Sequence, residues 1–221
     1  LVAVATLCGV LTNDGLRVDG RLPTAFWVGM TLKSSLVLLL LLPILSPGME
    51  QYEEKGMSWR VAVFPLAALV IPTLWRLTGA RPPYPYLADN LLVIPPLTDV
   101  LWNTLDTYDR VWLWDDVNHL VNSAIFAAVI GLWAARYRLG SVVLYGLALG
   151  LGMTLQVLWE IGEYLTFLAR SSNVANLYAD TFGDLALDLA GSAAGAAFAL
   201  YVARSREDTS EPELATAFVR S

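Results

Sequence analysis

The stretch Asp180–Gly195, DTFGDLALDLAGSAAG, decides how this chain is read. Asp180, Asp184 and Asp188 recur at i, i+4 and i+8, and Gly191 and Gly195 follow at i+11 and i+15. At about 100° per residue, all five fall within roughly 80° of one helix face. Beyond Asp188 the residues are nearly all apolar as far as Ala203. That face therefore enters a membrane, where an acid costs about 2.5–3.5 kcal/mol at mid-bilayer and less toward the interface. Three acids in succession require compensation, and what compensates them is the functional question.

The rest of the chain agrees with a membrane setting. Of 221 residues, 56% are hydrophobic and only 15% charged, far from the balance of a soluble domain. The apolar residues gather in blocks of about 16–25, long enough to cross a bilayer as helices. The fold class is all-α: a polytopic transmembrane bundle of six spans over residues 1–203, with a charged, disordered cytoplasmic tail at 204–221. The spans are placed at 24–46, 60–75, 87–105, 117–135, 141–168 and 181–203. Residues 1–11 are apolar but too short to span, and read as a truncated helix end, a re-entrant piece or an interfacial segment. The leading Leu1 points to a true start further upstream. A nucleic-acid partner is excluded by the absence of any basic run, and the single Cys8 excludes an intramolecular disulfide.

Basic residues orient the spans. Arg17, Arg21, Arg76, Arg81, Arg136, Arg138, Arg204, Arg206 and Arg220 share one side if six spans alternate; Lys55, Arg60, Arg110 and Arg170 fall on the other. The larger set places the C-terminus in the cytoplasm. Trp27, Trp59, Trp75, Trp102 and Trp133 lie near span ends, as interfacial anchors do. Pro95-Pro96 is expected to kink or break the third span.

With that orientation, four spans bring polar stripes to one depth near the extracytoplasmic face. The last carries Asp184 and Asp188; the fifth carries Gln156, Glu160 and Glu163 within an arc of about 60°. The fourth begins with Asp115, His119 and Asn122 on one face, and the third ends with Asp99, Asn103 and Asp106. Gly191 and Gly195, and a GxxxG pair at Gly146 and Gly150, are expected to let the helices approach closely. Facing carboxylates so close cannot all stay charged unless a metal, a shared proton or salt bridges to Arg110 and Arg170 intervene. An oxygen-rich set with one imidazole suits Ca²⁺, Mg²⁺ or Mn²⁺, with Zn²⁺ or iron open through His119 plus carboxylates. His119, Glu160, Asp184 and Asp188 are the candidate metal ligands, with Glu163 or Asp115 as general base. The bland counterparts are an N-cap for Asp180, a core histidine for His119 and a solvated rim for Glu163.

At these residues the chain resembles the YjdF-like bacterial inner-membrane proteins and, more distantly, the VanZ-like family. The resemblance rests on Asp115 four residues before His119, on Glu160-x-x-Glu163, and on Asp180-Thr181-x-x-Asp184-Leu185 followed by Gly191. Glu163 stands where VanZ-like chains have Gln, and Asp188 where they have Asn; both changes add negative charge. The resemblance implies a multi-pass protein of the bacterial cytoplasmic membrane with an envelope role.

Three functions follow as expectations. One is a divalent-metal-dependent hydrolase or transferase acting on a lipid-linked envelope substrate. Another is an accessory or assembly subunit bound to other membrane subunits, with the cluster as structural glue. The third is a proton- or cation-linked transporter. Membrane lipid is the partner common to all three.

Overall fold

The computed structural model describes residues 22–53, 55–80, 82–166 and 174–219; the N-terminal apolar segment and Arg170 lie outside them. Every regular element among the described residues is helical. In chain order these are α1 (Thr24–Leu45), α2 (Met57–Val63), α3 (Ala67–Leu77), α4 (Tyr86–Thr104), α5 (Thr107–Arg110), α6 (Trp114–Ala134), α7 (Ser141–Thr166) and α8 (Val174–Val219). A 3₁₀ turn at Phe64–Leu66 joins α2 to α3 into one rod. Pro65 lies in that turn; its ring and missing N–H disfavour a continuous α-helical ladder there. Gly56, at φ 60, starts the rod from a left-handed conformation that glycine adopts without strain. Past its apolar part, α8 carries on as helix to Val219.

Among the described residues, five helices are long and apolar enough to cross a membrane: α1, the α2–α3 rod, α6, α7 and α8. The sixth expected span, α4, is not among them. Its polar residues are the reason, because Asp89, Asn90, Asp99 and Asn103 dilute its hydropathy. All four are buried, along with most of the apolar ones, since α4 lies between α1 and α6 and also touches α3. A helix shielded by protein on several sides has no need of a uniformly apolar surface. The helix runs unbroken through Pro95-Pro96, so of the expected kink or break the break does not occur. Leu36 and Leu40 of α1 pack with Val93 and Val100 of α4, and Ile71 of α3 with Ala88, Leu92 and Val129.

The closest packing in the bundle is between α6 and α8, and small residues permit it. A methyl group on Gly195 would overlap the Ala124 carbonyl, and one on Gly191 would overlap Ser123 Oγ and the Leu120 carbonyl. Gly131 faces Ala199 in the same seam, and Gly152 of α7 lies against Ala127 and Ser192. The close approach read from Gly191 and Gly195 is therefore present. The GxxxG pair makes no such approach: among the described residues, no other helix would come within 4 Å of a methyl group on Gly146 or Gly150. Glycine spacing alone did not distinguish the two faces of α7.

Gly195→Ala should lower the stability of the detergent-solubilised protein by about 1–3 kcal/mol, since overpacking against backbone finds little room to relax. Gly150→Ala should be neutral to within about 0.5 kcal/mol. Thermal unfolding of the two variants side by side checks the seam.

Candidate metal centre at one end of the bundle

Antiparallel alternation brings five helix ends together: the start of α2, the end of α4, the start of α6, the end of α7 and the first half of α8. His119 of α6 is buried at the centre. Its Nδ1 is 3.3 Å from Asp188 Oδ1 and 3.8 Å from Glu160 Oε1. Its Nε2 is 3.8 Å from Asp115 Oδ1 and 3.9 Å from Asp184 Oδ1. One imidazole thus meets four carboxylates from three helices, two on each ring nitrogen.

The supports around this ring are specific. Asp188 is fully buried, and Gln156 Nε2 donates to its Oδ1 at 2.8 Å. Ser123 Oγ donates to the His119 carbonyl at 2.6 Å, holding that turn of α6 against the Gly191 seam. Glu160 Oε1 is buried with no hydrogen-bond partner among the described residues. A buried carboxylate oxygen left so is costly, and it faces the imidazole. Asp115, His119 and Asp184 form one group whose ligand atoms lie within 4.8 Å of one another, and His119, Glu160 and Glu163 form another.

A second set of charges adjoins the first. Arg60 of α2 is buried, and its Nε donates to Asp99 Oδ1 at 2.9 Å. One Nη reaches Glu163 Oε1 at 3.4 Å, and the other donates to the Lys55 carbonyl. Asn103 Nδ2 completes Asp99 at 3.2 Å, and the Trp159 ring lies under the guanidinium at 5.2 Å. Tyr108, in the short α5, has a buried hydroxyl without a hydrogen-bond partner among the described residues. Burial, and then the Asp99 and Asp115 carboxylates, hold its phenol above the ordinary value, so the hydroxyl keeps its proton.

Several expectations about the cluster need revising. Asn122 donates to Asn118 on its own helix instead of joining His119. Asp106 pairs with Arg110 at an exposed site, so Arg110 is not the counter-charge for the carboxylates. That part falls to Arg60, which the sequence reading used only for orientation. Its signal was present: a lone basic residue at the start of an apolar rod, at the end where the acids gather. Asp180 is exposed. At the opposite end of α4, Lys33 grips Asp89 through both oxygens at 2.9 and 2.8 Å, and the Tyr84 hydroxyl donates to the same carboxylate at 2.9 Å.

Helices of this length and apolarity, packed by small residues around buried charges, define an integral membrane protein of the polytopic helical class. The chain belongs to the family described as "Predicted membrane protein (DUF2238)", which it matches over residues 32–205. The match takes in Lys33, Arg60 and every member of the cluster. The VanZ-like part of the resemblance has no support from it. No curated protein and no solved structure matches the chain.

Arg60→Met should destabilise the protein by about 3–5 kcal/mol, because Asp99 and Glu163 would lose the charge that balances them. Unfolding in detergent measures this. An Arg110→Met variant, changed at an exposed pair, should stay within about 1 kcal/mol of wild type.

Proposed function

We propose that this protein holds a divalent cation at the His119 cluster and uses it in hydrolysis or group transfer on a lipid-linked substrate at the membrane face. The observation that carries the reading is the Asp115–His119–Asp184 group. Metal–ligand bonds of about 2.0–2.4 Å set neighbouring ligand atoms about 3–4 Å apart. The 3.8 and 3.9 Å from Nε2 to the two carboxylates match that spacing. With its proton on Nδ1 toward Asp188, the ring would turn the Nε2 lone pair to the cation, as a carboxylate partner does for a ligating histidine. Asp188 then orients the ring, with Glu160 beside it on the same Nδ1 side at 3.8 Å. A mixed imidazole and carboxylate set favours Mn²⁺ or Zn²⁺ over Ca²⁺ or Mg²⁺.

Bound there, the cation would supply a Lewis acid and a water of lowered pKa. Glu163, tethered by Arg60 and grouped with His119 and Glu160, is the candidate to accept a proton from that water, whereas Asp115 is committed to the cation. A second reading keeps the charges in balance with protons alone. The 3.3 Å contact between Nδ1 and Asp188 favours it, and a proton-linked transporter or an accessory subunit would follow.

Elemental analysis of the purified protein after Mn²⁺ or Zn²⁺ loading separates the two readings. About one metal per chain is expected, with affinity roughly 10–100-fold lower in Asp184→Asn and in Asp188→Asn. A folded wild-type protein that takes up no metal would leave only the proton reading.

We further propose that α4 crosses as a sixth span, its polar groups sheltered by α1, α3 and α6, in the bacterial cytoplasmic membrane of a YjdF-like protein. Its 19 residues reach about 28 Å, close to the hydrocarbon thickness. The cluster would then face outward and the C-terminus inward. In a Cys8→Ser background, Trp112→Cys should react with an impermeant maleimide on intact cells. Thr78→Cys and Arg138→Cys should react only after lysis. Labelling of Thr78→Cys and Trp112→Cys from the same side would remove the sixth crossing.

A further inference from the structure

The cluster is crowded with acceptors, yet buried donors at the same end of the bundle lack anything to donate to. Tyr108 Oη, Trp59 Nε1 and Trp114 Nε1 have no hydrogen-bond partner among the described residues. Buried donors are seldom left unpaired, and each such case calls for an acceptor that the fold itself does not supply. Trp59 precedes Arg60 and Trp114 precedes Asp115. Tyr108 belongs to α5, which packs on α4 and α6, the helices that carry Asp99 and Asp115. Its hydroxyl lies within electrostatic reach of both carboxylates and bonds to neither.

Together these features describe a ligand. It must offer anionic oxygens to a cation and still have one free for a neutral donor nearby. A carboxylate can use both of its oxygens on the cation, whereas a phosphate group has oxygens left over. We propose that the site binds a phosphate-type oxyanion on its cation, with Tyr108 Oη donating a hydrogen bond to one of the oxygens. The inference rests on the cation reading above and narrows its substrate to phosphorylated compounds. Such a group is carried by lipid headgroups and by free phosphate alike.

The test is calorimetric titration of Mn²⁺-loaded protein in detergent with inorganic phosphate and, separately, with a short-chain phosphatidic acid. Binding of one or both should require Mn²⁺. Tyr108→Phe should weaken it roughly tenfold, the loss expected for one hydrogen bond to a charged acceptor, while Mn²⁺ affinity stays within about twofold. Tighter binding of the phosphatidic acid identifies a lipid headgroup as the source, and tighter binding of phosphate identifies the free ion. Unchanged affinity in Tyr108→Phe overturns the role of the hydroxyl. Mn²⁺ uptake with no binding of either phosphate compound overturns the proposal and leaves the cation reading intact. Failure of the folded wild type to bind Mn²⁺ removes both.

Discussion

Charge balance in a low dielectric is the constraint on which this structure depends. Asp99, Asp115, Glu160, Glu163, Asp184 and Asp188 gather at one end of the bundle around a single guanidinium and a single imidazole. Two like charges about 4 Å apart repel by about 4 kcal/mol even at an effective dielectric of about 20. Helices carrying such groups cannot pack unless protons or a cation make up the deficit. The α6–α8 seam makes the demand sharper, because Gly191 and Gly195 let α8 approach the backbone of α6, which carries His119.

The two polar centres on α4 differ in how completely their charges are matched. Near its start, Asp89 meets one lysine and one phenol, so charge is matched and both carboxylate oxygens are bonded. A pair of that kind fixes how α1 and α4 sit together and leaves nothing over. Near its end, Asp99 and Glu163 share Arg60, but the carboxylates around His119 outnumber the cations there, and Glu160 keeps an oxygen without a hydrogen-bond partner among the described residues. Excess charge together with an unfilled bonding position is what a ligand would complete.

The polar character of α4 also explains the arrangement of the bundle. A helix bearing Asp89, Asn90, Asp99 and Asn103 does badly against lipid, so it lies inside, where Lys33, Arg60 and the Ala25 carbonyl reach it. The apolar rods α1 and α2–α3 provide that shelter, and they also carry the basic residues.

Much of this was determined by the sequence alone. The spacing of Asp180, Asp184 and Asp188, the run of apolar blocks and the alternation of basic loops were enough for a helical membrane bundle. They also placed His119, Glu160, Asp184 and Asp188 at one depth, because helical periodicity and span direction are properties of local sequence. Tertiary structure decided the rest. Which ring nitrogen of His119 meets which carboxylate, the choice of Arg60 over Arg110 as counter-charge, the neglect of Gly146 and Gly150, and the arrival of Tyr108 from a loop all depend on how helices rotate about their axes. Rotation follows from packing against neighbours distant in sequence, and a periodic pattern gives the face of a helix without naming the partner it will meet.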